Sequence, residues 1–216
     1  MGNFEGIIFD IDGTLTSTNE LIFATFRHVT EKYLGKEVTD EEIISLFGPT
    51  EDVILKEFMN DKYADARKDY MDFYEAKHHI MADVYPGIID VVKFIKSKKI
   101  PLSIYTGKGR DSSIITLTKI GIIDLFDMIV TGDDVEVHKP SPEGINVFVQ
   151  KFNLNRDKVL MIGDAPADVI AARGAGVKIA SVVWDSYAKQ RVLDMKSDYV
   201  FETVDELMFF LESELK

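Results

Sequence analysis

Short apolar runs alternate with helix-period segments over most of the chain from residue 86 onward. Runs rich in β-branched residues predict strands, and apolar positions that recur every three or four residues predict helices. The predicted strands are residues 102–105, 128–131, 159–163, 177–183 and 198–201. Helices are predicted between and after them, over residues 88–98, 111–120 and 142–152, and from residues 166 and 204. This alternation predicts an α/β, Rossmann-like, doubly wound parallel sheet with helices on both faces.

The first 85 residues combine one further strand with a long helical segment. Residues 7–9 form a continuous apolar run, which is typical of a strand buried on both faces. Residues 17–20 (STNE) and 39–42 (TDEE) match the capping box that begins many helices, and helical periodicity dominates up to residue 81. We therefore expect a catalytic core of residues 1–15 and 86–216, with an α-helical domain of residues 16–85 inserted after the first strand.

Composition and charge narrow the functional classes. The chain has 216 residues, 46% of them hydrophobic, with no cysteine and a formal net charge of -12. A strongly acidic protein does not suit nucleic acid or an anionic membrane, so neither is expected as a partner. No signal-peptide pattern or membrane-spanning run is present, and the absence of cysteine excludes disulfides and thiolate metal sites. We expect a cytoplasmic monomer or homodimer.

Two carboxylates follow the first predicted strand, in the stretch IIFDIDGTLT. Asp10 ends the apolar run, and Asp12 comes one residue later, directly before Gly13. Two like charges this close repel each other, which favours a cation between them. A strand followed by an ordinary turn is the alternative, because aspartate and glycine are common in turns.

Further polar residues follow other predicted strands. Ligands of an open parallel sheet bind outside the carboxyl ends of its strands. Singly, each residue has a structural explanation, such as a helix cap or a solvated lysine. Together they indicate one site, to which the later strands supply Thr106, Gly107, Lys139, Asp164 and Asp168.

The stretches FDIDGT, YTGK, HKPSPE and GDAPAD resemble the four motifs of the haloacid dehalogenase-like phosphatases, and the resemblance spans the whole chain. It implies that residues 16–85 are a helical cap and that a small phosphorylated substrate is the partner. It also implies Mg²⁺ as cofactor, held by the side chains of Asp10 and Asp164 and by the backbone carbonyl of Asp12. Asp168 would be a further ligand or would orient the site.

The same resemblance assigns the chemical roles. Asp10 would be the nucleophile that forms an aspartyl-phosphate, and Asp12 the general acid and then the general base. Thr106 and the Gly107 amide would bind phosphate oxygens, and Lys139 would offset the negative charge.

Within the family, the sub-patterns TSTNELI, FGPT and DVYPGI are most similar to the bacterial pyrophosphatase and phosphoglycolate phosphatase branch. A β-phosphoglucomutase is the first alternative, although this chain has Ile22, Thr50 and Gly163 where those enzymes carry histidine, arginine and usually glutamate. A non-catalytic phospho-receiver or binding module is the alternative from another class.

Residues that would contact the rest of the substrate are expected near the junction of the two domains. The candidates are Thr18, Asn19, Glu20, Thr50, Lys108 and Arg110. The adjacent His78 and His79 would point apart on a helix and are predicted to be surface residues rather than a metal pair.

Overall fold

The computed structural model describes residues 3–215. Within this range the protein forms eight strands, which are β1 (Gly6–Phe9), β2 (Thr16–Ser17), β3 (Asp83–Val84), β4 (Leu102–Tyr105), β5 (Met128–Val130), β6 (Val159–Gly163), β7 (Lys178–Val182) and β8 (Tyr199–Phe201). It also forms ten α-helices, which are α1 (Asn19–Leu34), α2 (Asp40–Ser45), α3 (Glu51–Met59), α4 (Tyr63–Met81), α5 (Ile88–Ser97), α6 (Arg110–Lys119), α7 (Glu143–Lys151), α8 (Pro166–Ala175), α9 (Lys189–Asp194) and α10 (Val204–Glu214).

Six strands form one sheet in the order β5-β4-β1-β6-β7-β8, and every pairing in it is parallel. The central strand β1 pairs with β4 on one side and with β6 on the other. The chain order therefore changes direction beside β1, and the crevice at such a point is where open α/β sheets bind ligands. The predicted doubly wound fold is confirmed.

Alternate side chains of β1 enter two separate cores, as the pleat of a strand requires. Ile7 and Phe9 pack with α5 and α10, whereas Ile8 packs with α7 and α8. The buried face of α5 shows why such helices form here, because its apolar residues recur at helical spacing: Ile88, Val91, Val92 and Ile95. Burying an aliphatic side chain of this kind contributes about 1.5–3 kcal/mol.

The helical insert (residues 16–85) lies between β1 and α5 and has a hydrophobic core of its own. Its helices α1, α3 and α4 bury Phe26, Leu55 and Tyr70 against one another. A two-stranded antiparallel ribbon connects the insert to the sheet, with Thr16 of β2 opposite Val84 of β3. Helical periodicity alone does not predict this ribbon, because each of its strands has only two residues.

Three local predictions in the insert have different outcomes. The capping box at Thr39 and Glu42 is confirmed by both of its hydrogen bonds. The capping box at Ser17 is wrong, because Ser17 lies in the ribbon and Thr18 precedes α1 without a side-chain cap bond. The surface location predicted for His78 is also wrong, since this residue is buried and its Nε2 lies 3.3 Å from the Thr116 hydroxyl of α6.

None of the helices between residues 3 and 215 is long and apolar enough to cross a membrane.

Candidate active site

The turn after β1 brings Asp10 and Asp12 to the carboxyl edge of the sheet. The backbone N–H of Asp10 donates to the carbonyl of Ile162 at 2.9 Å, which continues the pairing with β6. The chain then turns tightly, and the Gly13 N–H donates to the Thr16 carbonyl at 2.8 Å. Gly13 has φ of 78°, and a Cβ there would overlap the Asp164 carboxylate. Only glycine satisfies both the turn and the close approach.

Three carboxylates and one lysine meet beside this turn. Asp10, Asp164 and Asp168 each offer a carboxylate oxygen, and these oxygens lie within 4.8 Å of one another. The Lys139 ammonium donates to Asp10 at 2.9 Å and to Asp168 at 2.6 Å. Thr14, which follows Gly13, donates a hydrogen bond from its hydroxyl to the Asp164 carboxylate at 3.2 Å.

Burial dominates the electrostatics of this cluster. It raises the pKa of Asp10 to about 7, with Lys139 opposing the shift and Asp168 adding to it. Burial and the charge of Asp10 also hold the pKa of Asp164 well above its usual range. For Lys139, burial lowers the pKa, but the carboxylates of Asp10 and Asp168 outweigh it and raise the net value. The lysine is therefore charged, and the raised pKa values of Asp10 and Asp164 show that its single charge does not compensate for three carboxyl groups this close together.

Asp12 lies on the other side of the turn, with its own partners. Its Oδ1 accepts a hydrogen bond from the Thr18 hydroxyl, and both of its carboxylate oxygens lie 3.4 Å from the Lys108 ammonium. Burial lowers the pKa of Lys108. The Asp12 carboxylate and, to a smaller extent, Tyr74 raise it by more than burial lowers it, so the net pKa lies above its usual value. Lys108 is therefore a second charged lysine in the site.

The end of β4 contributes the next part of the site. Thr106 is buried, and its N–H donates to the Val130 carbonyl at 3.0 Å, so it continues the pairing with β5. Its hydroxyl accepts from the Lys108 N–H at 3.2 Å. Thr106 and Gly107 both line the cleft that contains Asp10 and Lys139. The seven residues predicted from strand ends are thus brought together at one edge of the sheet.

This cleft has a volume of about 390 Å³ and lies between the sheet edge and the helical insert. The insert lines it mainly with apolar side chains, which are Ile22, Phe26, Phe47, Pro49, Ile54 and Tyr70. Phe47 reaches across to the loop after β7, where its ring lies 5.9 Å from that of Tyr187.

The remaining predicted substrate residues divide into two groups. Asn19 and Lys108 line the cleft, and Thr18 contacts Asp12. Glu20 and Arg110 are exposed and outside the lining, and Arg110 pairs with Asp134 instead. Thr50 is buried behind the cleft, where its methyl group lies against Gly132.

Glu51 is a cleft residue that sequence reasoning missed. It is buried at the start of α3, lines the cleft, and accepts hydrogen bonds from the Gly109 N–H at 2.8 Å and from the Ser112 hydroxyl. Acidic residues are common in the first turn of any helix, so its position in the sequence did not distinguish it.

The model of the haloacid dehalogenase-like hydrolase family matches residues 7–182. The pyrophosphatase PpaX of Bacillus pumilus is 30% identical over 202 residues, which are 94% of this chain and 94% of that protein. A Haemophilus somnus protein predicted to be a phosphoglycolate phosphatase has a TM-score of 0.83 at 20% identity, with 97% of this chain and 99% of that one covered. A Thermotoga maritima protein assigned as a β-phosphoglucomutase has a TM-score of 0.76 at 27% identity, with the same coverage.

The family model covers most of the chain, and the six-stranded parallel sheet is consistent with the solved structures that it resembles. The protein is therefore a member of the haloacid dehalogenase-like hydrolase family.

Proposed function

We propose that the protein is a Mg²⁺-dependent phosphohydrolase that cleaves pyrophosphate or a small phosphate monoester through an aspartyl-phosphate. One observation carries the proposal. The buried Asp10 carboxylate is clustered with Asp164, Asp168 and Lys139, and a second carboxylate, Asp12, lines the same cleft. The names of the PpaX relatives support pyrophosphate among the candidate substrates.

The carboxylate cluster suits a hard divalent cation. Its donors are oxygens, which Mg²⁺ prefers, and the raised pKa values of Asp10 and Asp164 show that Lys139 alone does not offset the charge of the ionised cluster. Asp10 and Asp164, together with the Asp12 backbone carbonyl, would hold the ion. Asp168 already uses one oxygen for Lys139 and the other for the Ala165 N–H at 3.0 Å, so its role is to orient the lysine. A bound Mg²⁺ supplies positive charge that offsets the repulsion between a carboxylate and a phosphate.

The reaction has two halves. An Asp10 oxygen attacks phosphorus, the bond from phosphorus to the leaving oxygen breaks, and Asp12 gives its proton to that oxygen. Water then attacks the phosphorus of the aspartyl-phosphate and gives a proton to Asp12, and the bond between Asp10 and phosphorus breaks. Phosphate leaves, and both carboxyl groups return to their starting state.

Three groups would hold the transferred phosphoryl group in place. The Thr106 hydroxyl and the Gly107 N–H would donate to its oxygens, and the Lys139 ammonium would offset its charge. Thr106 and Lys139 are buried, so these interactions would form with little competing water.

Selection of the leaving group falls to the helical insert, which we propose acts as a cap. Its separate core and its two-stranded connection at Thr16 and Val84 support a boundary at residues 16–85. The hinges would then lie near Thr16 and at residues 85–87. Closure of the cap would exclude water before the first half-reaction.

The apolar wall of the cleft favours a phosphate monoester with an organic leaving group as the second candidate, because pyrophosphate has no apolar surface to bury there. Mutase chemistry has less support. The position that carries histidine in the mutases is Ile22, which here belongs to this apolar wall.

The test is a turnover assay of the purified protein with Mg²⁺. The substrates are pyrophosphate, phosphoglycolate, sugar phosphates, nucleotides and p-nitrophenyl phosphate. We expect turnover that Asp10→Asn reduces by about 10⁴-fold or more, since this change removes the nucleophile and preserves its shape. Asp61→Asn, on the exposed turn before α4, is the matched control.

Near wild-type turnover by Asp10→Asn would disprove the assignment of the nucleophile. Complete absence of turnover by the wild type would favour the receiver or binding module. Conversion of β-glucose 1-phosphate to the 6-phosphate, without release of phosphate, would establish the mutase.

A further inference from the structure

Lys108 is a buried lysine that the reaction described above does not use. Its side chain is 5% exposed, although it follows directly after the phosphate-binding pair Thr106 and Gly107. An ammonium group this deeply buried needs fixed partners. Their positions show what Lys108 can do.

The ammonium of Lys108 lies between Asp12 and the aromatic ring of Tyr74. It is 3.4 Å from each of the two Asp12 carboxylate oxygens and 4.5 Å from the centroid of the ring. Tyr74 is held in turn, because its hydroxyl lies 2.8 Å from that of Thr116 on α6. The cation–π contact and the ion pair together fix the ammonium group.

The helical insert also holds the backbone next to Lys108. Glu51 accepts from the N–H of Gly109 at 2.8 Å and from the hydroxyl of Ser112. A Cβ on Gly109 would lie 2.7 Å from a Glu51 oxygen, so residue 109 must be glycine for this contact to form. Two helices of the insert therefore contact the segment that carries Lys108: α3 through Glu51, and α4 through Tyr74.

The two partners of Asp12 constrain it differently. Thr18 donates to Oδ1 alone, and a carboxyl group held at one oxygen can still rotate about that contact. Lys108 is equally far from both oxygens and so fixes the position of the whole carboxyl group, and the bond from Thr18 fixes which way Oδ1 points.

We propose that Lys108 is a positioning residue for Asp12 and that Tyr74 of the helical insert holds it in place. This proposal rests on the function proposed above. Because Tyr74 belongs to the insert and Lys108 to the sheet domain, Asp12 is oriented for proton transfer only when the two parts are in contact. Closure of the cap and alignment of the acid/base group are then one event.

The two half-reactions depend on Asp12 to different extents, and this difference provides a test. p-Nitrophenolate is a good leaving group that departs without a proton, so formation of the aspartyl-phosphate survives a misplaced Asp12. Hydrolysis of the aspartyl-phosphate needs Asp12 as the base that takes a proton from water, so a misplaced Asp12 slows this second half-reaction. A positioned acid/base group contributes about 10²–10⁴-fold.

The central variant is Lys108→Met, which keeps the length of the side chain and removes its charge. With p-nitrophenyl phosphate and Mg²⁺ we expect a burst of about one equivalent of nitrophenolate, followed by turnover reduced about 30-fold or more, with KM unchanged or lower. Intact-protein mass spectrometry after acid quench should show the retained phosphoryl group. Lys68→Met, an exposed lysine of α4, is the matched control and should show no burst.

Two variants of Tyr74 test the other half of the proposal. Tyr74→Phe keeps the ring against the ammonium and should keep turnover within about threefold of wild type. Tyr74→Leu removes the ring and should reproduce the burst and the retained phosphoryl group. Far-UV circular dichroism and thermal unfolding of each variant would exclude a general loss of structure.

Two results would overturn the proposal. The first is a higher KM for pyrophosphate with unchanged turnover of p-nitrophenyl phosphate, which would make Lys108 a subsite for a second anionic group. The second is slower turnover without a burst and without phosphoenzyme, which would place Lys108 in the first half-reaction.

A wild-type protein without turnover would disprove the proposed function and leave the geometric claim open to a direct test. In that case a crystal structure of Lys108→Met should show the Asp12 carboxyl group displaced from its wild-type position. An unchanged Asp12 would refute the positioning role.

Discussion

Asp164 and Asp168 are equally buried, but their oxygens are used differently. Asp168 commits both oxygens to protein donors, Lys139 and the Ala165 N–H. Within residues 3–215, the Asp164 carboxylate accepts only from Thr14 at 3.2 Å, so it retains free lone pairs within 4.8 Å of an Asp10 oxygen. Two residues of one motif are therefore expected to respond differently to the same substitution.

Asp164→Ala should weaken Mg²⁺ binding by about a hundredfold or more, whereas Asp168→Ala should weaken it by about tenfold. The Asp168 variant should instead lose turnover at saturating Mg²⁺, because Lys139 loses one of its two partners. Isothermal titration calorimetry gives the affinities, and the assay at saturating metal gives the second effect. Equal losses of affinity would contradict the division of roles.

Mg²⁺ affinity should also depend on pH through Asp10. The pKa of this carboxyl group is raised to about 7 in the metal-free protein, so the protonated form dominates below that pH and the ionised form above it. Mg²⁺ binds the ionised form, and its affinity should therefore rise as the pH increases from 6 to 8, by about tenfold per unit below 7. Asp10→Asn should lose this part of the slope, and any remaining slope belongs to Asp164, whose pKa is also raised. An affinity that does not change over this range would contradict the assignment.

The residues that the sequence predicted and those it missed differ in one physical respect. Asp10, Thr106 and Asp164 follow apolar strands, and the carboxyl ends of parallel strands must meet at one edge. Glu51 and Tyr74 lie on helices of the insert. Their direction depends on how the insert packs against α6, which no local pattern specifies.

At the scale of elements, the two cores of the sheet rely on a few large side chains. Phe148 of α7 is fully buried against the strands, whereas Phe209 of α10 is 77% exposed. We expect Phe148→Ala to lower the free energy of unfolding by about 3–5 kcal/mol, because it removes buried contacts and leaves a cavity.

The matched substitution Phe209→Ala should change the free energy of unfolding by no more than about 0.5 kcal/mol. Urea denaturation of the two variants measures both values. A small effect at Phe148 would mean that the core around α7 is less tightly packed than the structure shows.

The predicted bounds of helices and strands agree with the observed ones to within one or two residues where apolar residues repeat regularly over several positions of the sequence. The exceptions are short or polar. The ribbon β2–β3 has two residues a strand, and α9 has Val192 as its only fully buried residue. Tertiary contacts rather than periodicity form these elements, so they left no pattern in the sequence.

At the scale of the whole molecule, the helical insert and the sheet edge bound a cleft of about 390 Å³ above Asp10. The contact between Phe47 and Tyr187 crosses the side of this cleft. A phosphate on a peptide or protein would bring the flanking chain against the walls of this cleft before the phosphate reached Asp10. A small phosphate compound fits within its volume.

Phosphopeptides should therefore be poor substrates, with kcat/KM at least about a hundredfold below that of the best small phosphate compound. The panel assay, extended with phosphoserine peptides of increasing length, measures this. Free phosphoserine is the control, since it carries the same leaving group without the chain. Equal efficiency for the free amino acid and the peptides would contradict selection by the size of the cleft.

The ribbon between the insert and the sheet has a consequence for how such proteins diversify. Thr16 and Val84 are directly paired, so the two ends of the insert lie about 5 Å apart whatever the intervening chain contains. A sequence whose ends fit that span can join the sheet at the same two points. Recombination or engineering can therefore exchange the insert at this ribbon, but the new insert must bring its own partners for Asp12 and Lys108 in place of Thr18 and Tyr74.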